Sequence, residues 1–138
     1  MPDLTELRAA ARDAREHAYA RYSHFTVGAA VETADGRRFT GANVENASYG
    51  LAMCAERTAV FAAVLAGARG IAAVAVSGPD GTTTPPCGAC RQVLAEFGAA
   101  GVPLTYARAD GSWTDTTLGD LLPAAFDPAA LEMARGNA

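Results

Sequence analysis

Three cysteines, divided between two distant stretches, place the tightest constraint on how this chain can fold. Cys54 stands in Cys54-Ala55-Glu56-Arg57. Cys87 and Cys90 follow about thirty residues later, in Pro85-Pro86-Cys87-Gly88-Ala89-Cys90-Arg91-Gln92. An odd number of cysteines that includes a Cys-x-x-Cys pair points to metal or redox chemistry rather than a structural disulfide. If the three sulfurs share one ion, the fold must bring the beginnings of two separate segments to a single point.

The pattern around the two stretches predicts how that is done. Asp3 with Glu6 reads as a capping box opening a helix over about Thr5 to Arg21, with Leu4, Leu7, Ala11, Ala14 and Ala18 as its buried stripe. Asp35-Gly36 between Thr26–Thr33 and Arg38–Val44 signals a β-hairpin. Val44 to Ala52 reads as loop, and Cys54 to Ala66 as a helix apolar on most sides and therefore buried. Ile71 to Ser77 is a nearly continuous apolar run, the mark of a central strand covered on both faces. A third helix is expected over Gly88–Phe97, two strands at Pro103–Ala107 and Trp113–Thr116, a short helix near Leu118–Leu121 and a last helical piece after Asp127-Pro128. The fold expectation is one α/β domain spanning 1–138, a three-layer α/β/α arrangement around a five-stranded mixed sheet.

Both cysteine stretches then open helices. A helix N-terminus presents free N–H groups and the positive end of the dipole, which favour the thiolate form that metals bind. Cys87 and Cys90 are one helical turn apart, so both sulfurs can point the same way. Three thiolates without a fourth cysteine, and with both histidines in the first quarter of the chain, leave a zinc ion with one position for water. Structural zinc sites are normally closed by four protein ligands, and an open position marks catalysis. Thiolates weaken the ion as a Lewis acid, and Arg57 is placed to offset this by donating to the sulfurs. Glu56, two residues from a ligand, can take a proton from the water and hand it on. Two other readings stay open on these residues alone. Cys87-Gly88-Ala89-Cys90 also suits a dithiol redox pair, and the metal could serve an interaction module in which it is only structural.

Charge and composition narrow the partners. With a net charge of −4, half its residues apolar and no run of like charges, the chain has no electrostatic footprint for a nucleic-acid polymer or a membrane surface. No apolar run is long enough to span a bilayer and no secretory signal layout opens the sequence, so a cytoplasmic protein is expected.

The Cys-x-Glu and Pro-Cys-x-x-Cys elements together resemble the signature of zinc-dependent nucleobase deaminases, with Cys54 in the place of a histidine. Further stretches, Tyr22-Ser23-His24-Phe25, Asn43-Val44-Glu45-Asn46-Ala47 and Leu121-Leu122-Pro123-Ala124-Ala125-Phe126, are similar to the small homotetrameric cytidine deaminases. The likeness runs from about residue 20 to 128. It implies one zinc per chain on Cys54, Cys87 and Cys90, and hydrolysis of cytidine and 2′-deoxycytidine to the uridine nucleosides plus ammonia. Zinc hydroxide would attack C4 while Glu56 protonates N3 and then the departing amine. The N–H of Ala55 would donate to the pyrimidine O2, Asn43 and Glu45 would bind the ribose chiefly at its 3′-hydroxyl, and Phe25 would line the pocket. Phe126 would reach into a neighbouring subunit's site, so that a homotetramer builds each site from more than one chain. Thr26 departs from the family's frequent proline or basic residue. Pro85 replaces a common Ser or Thr, but it keeps the carbonyl that receives the leaving amine. An alternative within the same chemistry is a deaminase of a nucleoside-like antibiotic of the blasticidin type, against which the Asn43 and Glu45 pair argues.

Overall fold

Large and small apolar residues alternate along the two inner strands, and this alternation decides how the layers stack. In the computed structural model, which describes residues 3–136, β1 (Gly28–Thr33), β2 (Arg38–Ala42), β3 (Ile71–Ser77), β4 (Pro103–Ala107) and β5 (Trp113–Thr117) form one sheet in the order β2-β1-β3-β4-β5. β3 and β4 pair in parallel and every other pair is antiparallel. The strand predicted to be central is therefore central. Its Val74 and Val76 join Val31 and Leu104 on one face, where they meet Val60 and Leu94 of the helices α2 (Ala55–Leu65) and α3 (Gly88–Phe97). Ala73 and Ala75 join Ala30 on the other, under Leu4, Leu7 and Ala11 of the segment leading into and through α1 (Thr5–Ala14). Each Val or Leu so buried contributes about 1.5–3 kcal/mol. The three-layer α/β/α expectation holds.

α1 is shorter than its periodicity suggests. It ends at Ala14, one 3₁₀ turn carries the chain to His17, and Ala18 is already extended. Tertiary pairing wins over helix propensity here: Tyr19 N–H donates to the Asn43 carbonyl at 2.9 Å, and Glu45 N–H donates to the Tyr19 carbonyl at 2.8 Å. The expected capping box does not form: Leu4 is the N-cap residue and makes no side-chain cap bond. Asp3 accepts from the Thr5 N–H at 2.9 Å, but Glu6 turns to Arg38 instead of closing the box. The β1–β2 hairpin turns through Gly36 at φ +86°, as its Asp-Gly signal requires.

α2 lies close against β2. A Cβ on Gly41 would come within 2.4 Å of the Ala59 nitrogen, so only glycine permits this approach. α2 is not buried all round, contrary to expectation. Ala55, Glu56, Ala59, Val60 and Ala63 face inward, while Phe61 and Leu65 stand 46% and 90% exposed. α4 (Leu118–Leu121) and α5 (Pro128–Gly136) follow β5, and α5 buries none of its described side chains. Among the described residues, no helix is long and apolar enough to cross a membrane.

Candidate metal centre

α2 and α3 pack side by side on one face, and each is entered by an extended cysteine: Cys54 at φ −74°, ψ 155° and Cys87 at φ −68°, ψ 168°. This brings the three sulfurs together, all within 4.8 Å of one another. Cys54 Sγ lies 3.8 Å from Cys87 Sγ, and Cys87 Sγ lies 3.5 Å from Cys90 Sγ. Ligands about 2.3 Å from a tetrahedral zinc lie roughly 3.8 Å apart along each edge, so the sulfurs match three corners of that polyhedron. All three cysteines are free thiols.

The charge of the cluster also suits a cation. Cys54 titrates down at about 5, because the Cys90 thiol, the Arg57 guanidinium and the Cys87 thiol all hydrogen-bond its sulfur against the opposing effect of burial. Cys90 moves up, first because it shares its proton with Cys54 and then because it is buried. A divalent ion among the sulfurs displaces the remaining protons. Arg57 donates from Nη2 to Cys54 Sγ at 3.3 Å, as its sequence position suggested. Its Nε is buried with no hydrogen-bond partner among the described residues. An unpaired guanidinium nitrogen beside thiols is tolerable where those thiols carry negative charge. The residues present therefore fit a zinc ion.

Glu56 is 4% exposed, and burial raises its pKa, with the Cys54 charge pushing the same way. It shares a cavity of about 270 Å³ with Cys54, Cys87, Ala55, Asn43 and Glu45, and Phe25 and Pro85 line the same space. Of the residues assigned to the site from sequence, Cys90 and Arg57 lie behind this lining, joined to it through the sulfur cluster and the Arg57 contact to Cys54, and only Phe126 stands apart. That side chain is 62% exposed and borders a larger cavity, of about 570 Å³, which contains none of the cysteines. Size alone would select the wrong cavity; the chemistry lies in the smaller one.

Asn43 has a duty that its sequence position did not reveal. Its Oδ1 accepts from the Val27 N–H at 2.9 Å and its Nδ2 donates to the Phe25 carbonyl at 2.8 Å. The amide staples the entry to β1, keeping one hydrogen and one lone pair in reserve. Glu45 is likewise engaged: Oε1 accepts from the N–H groups of Tyr22 and Ser23 at 3.0 and 3.1 Å, and Oε2 accepts from the Ser23 hydroxyl. These bonds, the one from the Ser23 hydroxyl first, lower the pKa of Glu45. Ser23, Arg91 and Gln92 were given no role from sequence. Arg91 donates to the Pro86 and Leu121 carbonyls, both at 2.8 Å, and Gln92 Nε2 donates to the Phe126 carbonyl at 3.2 Å. The signal available for them was only their place inside the motif stretches.

Known proteins with this arrangement agree among themselves. The family model described as "Cytidine and deoxycytidylate deaminase zinc-binding region" matches residues 1–105. A cytidine deaminase of Halalkalibacterium halodurans is 50% identical over 113 residues, 82% of this chain and 86% of that protein. One of Sporosarcina psychrophila is 44% identical over 132 residues, 96% of this chain and 97% of that protein. The crystal structure of cytidine deaminase from Burkholderia pseudomallei superposes with a TM-score of 0.84 at 51% identity, covering 91% of this chain and all (100%) of that one. Three thiols at the spacing of a tetrahedral edge, a buried glutamate beside them and relatives of nearly matching length lead to one conclusion: the chain belongs to the zinc-binding cytidine and deoxycytidylate deaminase family.

Proposed function

We propose that the protein is a cytidine deaminase, hydrolysing cytidine and 2′-deoxycytidine to uridine and 2′-deoxyuridine with release of ammonia. The observation that carries this reading is the buried Glu56 in one cavity with Cys54, Cys87, Asn43 and Glu45. Relatives named cytidine deaminase support it, and the antibiotic-deaminase alternative is not favoured.

One zinc ion per chain would be held by Cys54, Cys87 and Cys90 and, when bound, would supply Lewis acidity that lowers the pKa of water below its bulk value of about 15.7. Arg57 holds charge-assisted contact with Cys54 and so limits how much electron density the sulfurs pass on. Glu56 takes the proton of the attacking water and places it on N3 of the pyrimidine. Glu56 then collects the remaining hydroxyl proton at C4 and passes it to the amine as the C4–N4 bond breaks, leaving the C4 carbonyl and ammonia. A carboxylate whose pKa is raised by burial suits both halves of that shuttle. The Ala55 N–H, in the first turn of α2 where backbone donors lack helical partners, is assigned to the pyrimidine O2. The Pro85 carbonyl is assigned to the leaving amine. Phe25 walls the base, while Asn43 and Glu45 take the ribose.

Phe126 is assigned to the site of a neighbouring copy, within a homotetramer of single-domain chains spanning 1–138. Its exposure and its place in a cavity that contains none of the cysteines support that assignment, as do the uncovered Phe61 and Leu65 on α2. Nothing in the charge distribution suits a nucleic-acid strand, and a cytoplasmic setting fits a protein with three free thiols.

The test is to incubate the purified protein with cytidine, follow the absorbance change of deamination and measure zinc per chain. Uridine formation with one zinc per chain is expected. Stoichiometric zinc without any turnover would leave a metal-stabilised interaction module, and an exchangeable disulfide without zinc would leave a dithiol oxidoreductase.

A further inference from the structure

Glu45 is the most heavily hydrogen-bonded side chain in the cavity, and its partners come from one short loop. A carboxylate offers about four lone-pair positions, two on each oxygen. The N–H groups of Tyr22 and Ser23 fill both positions of Oε1, and the Ser23 hydroxyl takes one position of Oε2. The same hydroxyl accepts from the Phe25 N–H at 3.0 Å. Ser23 thus joins Glu45 to the backbone of Phe25, two of the residues that line the cavity.

The backbone supports this junction at some cost. His24, between Ser23 and Phe25, has a left-handed φ of +57°. A residue other than glycine in that region is held there by its surroundings, commonly at functional sites. Here the His24 N–H donates to the Ala20 carbonyl at 2.8 Å, and the turn it makes returns Phe25 N–H to the Ser23 hydroxyl. From the other side, the Glu45 N–H is tied to the Tyr19 carbonyl. Both ends of the clamp are fixed before any ligand arrives.

We propose that Ser23 is a positioning residue for the sugar end of the site: it locks the Glu45 carboxylate so that a nucleoside meets a single remaining acceptor position, on Oε2. This rests on the reading of Glu45 as a ribose ligand and extends it. One acceptor position takes one hydroxyl and does not bridge the vicinal pair. The 3′-hydroxyl is then read through Glu45 while the 2′-position is left unread by it, so cytidine and 2′-deoxycytidine depend on Ser23 equally.

The experiment compares wild type, Ser23→Ala, Ser23→Thr and Glu45→Gln, each as zinc-loaded protein, on cytidine, 2′-deoxycytidine and 3′-deoxycytidine. Ser23→Ala is expected to raise KM for cytidine and 2′-deoxycytidine by about tenfold, the loss expected when a hydrogen-bonded charge is no longer held. Its kcat and zinc content should stay near wild type, and its KM for 3′-deoxycytidine should not move. Ser23→Thr, which keeps the hydroxyl, should restore both substrates. An equal rise for all three nucleosides would show general loosening through Phe25 and overturn the proposal, as would an unchanged KM for cytidine. Glu45→Gln separates the two layers of the argument. If it loses the preference for a 3′-hydroxyl and Ser23→Ala does not, only the role of Ser23 fails; if Glu45→Gln keeps that preference, the ribose reading fails and takes the proposal with it.

Discussion

Two glutamates lining one cavity have been driven in opposite directions. At the metal end Glu56 is buried beside a thiolate, and its pKa rises. Where the sugar is proposed to bind, Glu45 is fed three hydrogen bonds by Tyr22 and Ser23, and its pKa falls. The first is therefore poised to carry a proton and the second to refuse one. Residue type alone does not separate these roles; burial and donor count do.

Removing the proton carrier should break the comparison most severely. Glu56→Gln is expected to lower kcat by about 10³-fold while zinc content and the fold persist, since general acid–base groups contribute on that scale. Zinc analysis alongside stopped-time assays would check it, and loss of metal in the variant would undo the distinction between shuttle and ligand. At the other end, Glu45→Gln should raise KM for cytidine by about tenfold with a much smaller change in kcat, because a ground-state sugar contact is lost. A kcat loss as large as that of Glu56→Gln would mean the two ends are not functionally separate. Phe126→Ala should weaken nucleoside binding or tetramer assembly, by several-fold in KM or in the dissociation of copies, on the order of one lost aromatic contact; sedimentation and kinetics that both match wild type would remove Phe126 from the site.

The smallest effect expected is none. The ionised form of Glu45 is favoured in the folded protein, so its contribution is complete above its ordinary pKa of 4.5 and declines only as pH falls through a lower value. Inhibition by the product uridine, which presents the same sugar, should accordingly stay constant from neutrality down to about pH 5. Weakening that begins well above this in wild type and is absent from Glu45→Gln would show that Glu45 is not held ionised by its donors; Glu56, whose pKa is raised, would weaken both proteins alike.

The metal end was readable from sequence because it is written in a scarce residue at helical spacing. Cys54, Cys87 and Cys90 leave few geometries, and Glu56 and Arg57 follow from one turn of helix. The sugar end was not readable in the same way. Phe25, Asn43 and Glu45 entered through family resemblance, and what holds them is a set of bonds between residues far apart in the chain, such as Ser23 with Glu45. Those bonds depend on the left-handed His24 and on Tyr19 leaving its helix early, neither of which has a periodic signature. The same pairing explains why helical periodicity carried α1 too far. The strands were legible wherever Val and Ala alternated between faces. The exposed side of α2 was not, because an apolar residue bound for another surface reads the same as one bound for the core.

Arg91 and Gln92 follow Cys90 directly on α3 and grip the carbonyls of Leu121 and Phe126. A tag or fusion partner placed beyond α5 would therefore hang from a tether bolted next to a zinc ligand, and strain on that handle would be felt at the sulfurs.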